Sequence, residues 1–169
     1  MNTLAKVAIG LGSAVGGVFG ADALHTAMTK RQAWEFAKGL AGERGIINLG
    51  AGPHRPTIES RMIAWAPEVA LNVDIVLDGL PRFMQLDLEQ ALPFGNKQFD
   101  CTFASHILEH LENWEQALSE MVRISDLAIV VLPHPLSPSG WLSPSHRQHF
   151  SSVDIEEMGK IYPSVVVFY

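Results

Sequence analysis

One junction constrains this chain more than any other: Ile46-Ile47-Asn48-Leu49 runs straight into Gly50-Ala51-Gly52. Strand-favouring residues that end on a Gly-x-Gly turn, followed after Pro53 and Pro56 by helix-compatible sequence, read as strand, tight bend and helix N-terminus. Backbone N–H groups at such a bend face an anionic or polar ligand. A second strand, Leu71-Asn72-Val73-Asp74-Ile75, ends in a carboxylate. Asp74 follows Gly52 at close to the ~20-residue spacing at which an acid reaches a ribose diol.

The chain has 169 residues, enough for one domain with an appendage. It is 47% hydrophobic and 18% charged, with a net charge of −6. No basic stripe is available to neutralise phosphates, which argues against a nucleic-acid partner. Cys101 is the single cysteine, so an intrachain disulfide and a cysteine-rich zinc cluster are both excluded. It lies in the apolar run Phe99–Ala104 and reads as a small core residue.

Residues 1–28 form an apolar N-terminal helix. Between Val7 and Ala21 the only polar side chain is Ser13, and Gly12, Gly16 and Gly20 recur at four-residue spacing, a small-residue face suited to close helix contact. The stretch from residue 4 to 24 approaches the ~20 residues that span a bilayer, with Lys6 and Asp22 at its edges. Three readings stand side by side: a membrane anchor, an assembly helix docking on a protein complex, or a cleaved signal sequence ending near Ala21-Asp22-Ala23. On the first, Lys30, Arg31 and Lys38 place the rest of the chain on the cytoplasmic side of a membrane; otherwise the protein is cytoplasmic.

Residues 29–42 form a linking helix with Trp34, Phe36, Ala37 and Leu40 as its apolar face. The domain proper covers 43–169. Further helices are expected over Ile58–Ala66, His106–Ile124 and Ser151–Lys160, the last capped by Ser151 or Ser152. Further strands are expected at Ala70–Val76, Phe83–Leu86, Phe99–Ala104, Leu127–Leu132 and Val165–Tyr169, with a turn over Asp78–Pro81. This alternation argues for an α/β fold, Rossmann-like and doubly wound, with a mostly parallel sheet.

From Ile46 onward the chain resembles the class I S-adenosylmethionine-dependent methyltransferases, in particular the type 11 group. The resemblance rests on Asn48-Leu49-Gly50-Ala51-Gly52, on Asn72-Val73-Asp74, on Asp87 followed by Leu92-Pro93-Phe94 and Phe99-Asp100, and on Ser105-His106-Ile107-Leu108-Glu109-His110-Leu111. It implies that Asn48, Gly50, Ala51 and Gly52 approach the methionine part of S-adenosylmethionine. Asp74 and Ile75 would take the ribose side, Asp87 and Leu88 would flank the adenine, and Ser105 and His106 would line the cleft. The pattern also departs from the family. Asn48 stands where an acid is common, Pro53 and His54 replace a third glycine, Ser125-Asp126 replaces a Lys-Pro-Gly-Gly turn, and the terminal hairpin is incomplete. The chain therefore reads as a reduced member.

Methyl transfer from a sulfonium is an in-line displacement that depends on positioning in a dry cleft. A hydroxyl acceptor also needs a base, and His106 and His134 are the catalytic candidates. The acceptor is expected to be a small molecule or lipid-like. The alternative function is a catalytically inactive methyltransferase-fold subunit serving as a structural component of a membrane or multi-subunit complex. His106 and His110 lie four apart with Glu109 between them, a spacing that can bind a metal. The same letters occur in the methyltransferase pattern without one, and no metal is assigned. His146 and His149 form a second pair, in a loop of the kind that family members place over substrate.

Overall fold

The computed structural model describes residues 3–52, 58–76 and 79–169, with the side chains of 3–16 and 18 outside the description. The expectations on Pro53, His54, Pro56, Asp78, Lys6 and the Gly12 and Gly16 face therefore lie outside the described residues. In chain order the elements are α1 (Thr3–Leu40), β1 (Ile46–Leu49), α2 (Ile58–Trp65), β2 (Val69–Asp74), β3 (Phe83–Gln85) and β4 (Phe99–Ser105). After a 3-10 turn at Leu108–His110 come α3 (Trp114–Ile124), β5 (Ser125–Val131), α4 (Pro138–Leu142), α5 (Ser152–Ile161) and β6 (Val165–Phe168).

The six strands form one sheet in the order β3-β2-β1-β4-β5-β6, every pair parallel. Side chains alternate across a strand, so each strand feeds two cores. On one face Ile47, Leu49 and Ala104 pack with Leu118 and Met121 of α3 and Met158 of α5. On the other, Ile46, Cys101 and Phe103 pack with Ala33, Trp34 and Ala37 of α1 and Ile63 of α2. A sheet covered on both faces is the doubly wound α/β architecture that the alternation implied. Cys101 is fully buried, and burial pushes its thiol up to about 12.

One helix covers both the apolar N-terminal stretch and the linking segment. Its buried stripe is Thr29, Ala33, Trp34 and Ala37 at helical spacing. Phe36 and Leu40, expected on the apolar face, are 42% and 43% exposed, because Ala33 rather than Leu40 completes the stripe against the sheet. Among the described residues no helix is long and apolar enough to cross a membrane, so the transmembrane reading of residues 4–24 gains no support. Toward its N-terminal half α1 touches α4 instead: the Asp22 carboxylate accepts hydrogen bonds from the Ser137 hydroxyl at 2.9 Å and the Ser139 backbone N–H at 3.2 Å.

A second correction concerns the expected helix from His106 to Ile124. The α-helix begins only at Trp114, and His106 has φ of 55°, in the left-handed region that no helix interior tolerates. The backbone N–H groups of Arg147 and Gln148 donate to the Glu109 carbonyl, and the Glu89 carboxylate takes the Glu112 N–H. These tertiary bonds replace the helical ladder over 106–112. The apolar periodicity holds over 114–124, and the segment upstream of it is not α-helical. The expectation also omitted α4, which is five residues long. At the other end of the chain Ser151 caps α5 with a reciprocal box, its side chain accepting from the Asp154 N–H while Asp154 accepts from the Ser151 N–H.

Candidate active site

β1 pairs with β2 on one side and with β4 on the other, so the strand order reverses between β1 and β4. In open α/β sheets ligands bind beyond the carboxyl ends of the strands at this point. A cleft of about 310 Å³ lies there. Asn48, Gly50, Ala51 and Gly52 supply one wall, Asp74 another, and Ser105 and His106 a third.

The bend is tied down by its own backbone. Gly50 has φ of 69°, which favours glycine, and the N–H groups of Gly50 and Ala51 both donate to the Val73 carbonyl, at 2.9 and 3.1 Å. The loop is thereby folded across the end of β2. The Gly52 N–H donates to Asp74 Oδ2 at 2.7 Å, and the Val76 N–H donates to Oδ1 at 2.9 Å. A Cβ on residue 52 would lie 2.4 Å from the Asp74 carboxyl carbon, so glycine is what lets acid and bend touch. Each carboxylate oxygen keeps a further lone pair for another donor.

Asn48 turns out to be structural as well as cleft-lining. Its side-chain amide donates to Asn72 Oδ1 at 2.8 Å, and Asn72 in turn donates to the carbonyls of Ala64 and Pro81. An acid at position 48 would leave that acceptor without a donor.

Ser105 and His106 close the other side. The Ser105 hydroxyl and His106 Nε2 are both buried without a hydrogen-bond partner. His106 Nδ1 sits 3.2 Å from Glu109 Oε1, a contact that leaves Nε2 as the nitrogen turned to other partners. His106 holds this place through its left-handed backbone, a conformation that recurs at functional sites.

The fourth wall was not foreseen. Lys30 of α1 and Ser60 of α2 line the cleft, with Lys30 Nζ donating to the Ser60 hydroxyl at 2.8 Å. Burial lowers the Lys30 pKa, opposed by the nearby Glu59 charge. Lys30 falls a helical turn before the buried Ala33 and Trp34, a spacing that puts it near the sheet but does not by itself point to the cleft.

Four of the expected residues do not line the cleft. Ile75, directly after Asp74, is 61% exposed. Asp87 accepts the Glu89 N–H at 2.9 Å in the turn beyond β3, and Leu88 is buried in the core. His134 lies outside the cleft, its ring edge-on to His25 at 5.3 Å and tilted on Tyr169 at 6.1 Å.

Beside the cleft, which His110 also lines, the two histidine pairs of the sequence converge. His110 and His146 have ring centroids 4.8 Å apart, and Glu109 lies beside them with 1% exposure. Burial pushes the His146 imidazole below its ordinary value, opposed by the Glu109 charge. His149 is held in a parallel stack on Trp141 at 4.7 Å.

The all-parallel sheet with its glycine bend, strand-end acid and cleft at the switch point defines a Rossmann-like fold with a candidate ligand site. Residues 56–126 match the family model described as a methyltransferase domain. That match supports methyl transfer as the class of reaction. No curated protein matches the chain.

Proposed function

We propose that the chain binds S-adenosylmethionine in the switch-point cleft and transfers its methyl group to a small-molecule or lipid-like acceptor. The observation that carries this reading is the direct contact between the Gly52 bend and the Asp74 carboxylate, which leaves acceptor capacity on both oxygens. The chain's residues fit the cofactor. Asp74 offers lone pairs to a ribose diol, and the unpartnered Ser105 hydroxyl and His106 Nε2 await polar atoms. The Gly50–Gly52 backbone permits close approach, and Ile75, exposed directly after Asp74, offers apolar surface beside the ribose acid.

The cofactor would supply an electrophilic methyl group on sulfur. The protein's part is to hold donor and acceptor in line and to exclude water. With a hydroxyl acceptor, His106 Nε2 takes the proton as the new bond to carbon forms, and Glu109 Oε1 at Nδ1 steadies the resulting imidazolium. His134, which does not line the cleft, is the less favoured base.

A second reading, an inactive fold retained for assembly, draws on a separate feature. Exposed Leu24 and Met28 of α1 and Met62 of α2 border an apolar groove of about 710 Å³, a surface that a protein partner could cover.

Thermal unfolding of the full chain with S-adenosylhomocysteine separates the two. A ligand at a hundred times its Kd adds about 2.7 kcal/mol, worth roughly 5–10 °C in a domain of this size. An unchanged midpoint at millimolar ligand removes the cofactor assignment and leaves the assembly reading.

A further inference from the structure

His110 and His146 are unused by the reading above, and Glu109 enters it only through Oε1. Among the described residues their cluster is the one place where three imidazole or carboxylate ligand atoms converge: those of Glu109, His110 and His146 all lie within 4.8 Å of one another. Three further observations show a built site. Glu109 is 1% exposed, and its Oε2 is buried with no hydrogen-bond partner, while Oε1 is engaged by His106. An ionised oxygen left without a donor in the interior costs several kcal/mol unless a cation or donor meets it. His110 Nδ1 lies 2.9 Å from the Ser145 carbonyl, so Nδ1 carries the proton and Nε2 keeps its lone pair. A backbone carbonyl that fixes the tautomer in this way is the usual outer support of a metal-ligating histidine. Finally, a cavity of about 20 Å³ borders Glu109 and His146, space for one ion or water.

We propose that Glu109, His110 and His146 bind a single divalent transition metal. Two imidazoles and one carboxylate suit zinc and its neighbours rather than magnesium or calcium, and three protein ligands leave a position for water. Ligands of one zinc ion stand roughly 3.4 Å apart at bond lengths of ~2.1 Å, so the groups close in on binding. The half-buried His146 sits on the loop between α4 and α5, where a small shift is cheap. The ion meets Glu109 through Oε2 and leaves Oε1 to His106. It would thus adjoin the methyl-transfer cleft, whose wall His110 shares.

The test is zinc titration of the chelator-treated full chain by calorimetry, with cobalt(II) absorption reporting the ligand field. One equivalent of zinc should bind saturably. His146→Gln and Glu109→Gln should each weaken it at least tenfold, with far-UV circular dichroism unchanged in the former. His25→Ala, at the separate His25–His134 contact, should leave affinity unaltered. Absence of saturable binding overturns the proposal, as does binding that survives His146→Gln or is lost in His25→Ala. If Glu109→Gln does not fold, His146→Gln decides alone. Stabilisation by S-adenosylhomocysteine is read separately, so failure of either site leaves the other standing.

Discussion

A single methyl group at position 52 tests how acid and bend cooperate. In Gly52→Ala the new carbon would be driven into the Asp74 carboxylate, which must swing away and lose the Gly52 and Val76 N–H groups. The expected outcome is a fold destabilised by about 1–3 kcal/mol and a loss of stabilisation by S-adenosylhomocysteine in the same thermal scan. Asp74→Asn is milder. It keeps one acceptor oxygen, so the chain should fold with little change while ligand affinity in calorimetry drops at least tenfold. If Asp74→Asn binds as tightly as the parent, the acid only fastens the turn. At this scale the sequence was informative wherever a residue acts through its own strand or turn. Gly50, Gly52 and Asp74 could be read because a bend and a strand end are local features. Lys30 could not, since its place in the cleft follows from how α1 lies across the sheet. Nor could the meeting of His110 with His146, which depends on a loop folding back over the 3-10 turn.

Among the elements, α1 contributes most beyond expectation. Its buried stripe is narrow and small apart from Trp34, which packs edge-on against Phe103 at 5.4 Å. Trp34→Ala removes the one large side chain joining this helix to β4, with an expected cost of about 3–5 kcal/mol in urea unfolding. It should also weaken ligand binding, because Lys30 is carried on the adjoining turn; full retention of affinity would show that α1 does not shape the cleft. The limits of α3 teach the complementary lesson. Periodicity marked its core-facing residues, Leu118 and Met121, correctly. What it could not show were the competing hydrogen bonds from Arg147, Gln148 and Glu89, which come from other segments and dismantle the preceding helical turn.

For the molecule as a whole, acid stability should depend on Glu120. The Arg123 side chain holds its carboxyl below the ordinary 4.5, helped by the Leu92 backbone N–H against the effect of burial. A carboxyl with a depressed folded-state pKa stabilises above its unfolded value, and that contribution fades as pH falls through the folded one. The unfolding midpoint should therefore drop below about pH 4.5. In Glu120→Gln the acid limb should be shallower and the neutral midpoint lower. Identical acid limbs in the two proteins would assign the pH dependence elsewhere.

The strand order has a further consequence for how the chain is born. β1 lies at the middle of the finished sheet, yet its neighbour β4 begins only at Phe99. At ribosomal speeds of ~5–20 residues per second, Ile46–Leu49 must wait on the order of several seconds with one edge open. A mostly apolar strand left unpaired that long invites pairing with the wrong chain. α1 is translated first and can already shield the Ile46 side while the rest of the sheet is still being made.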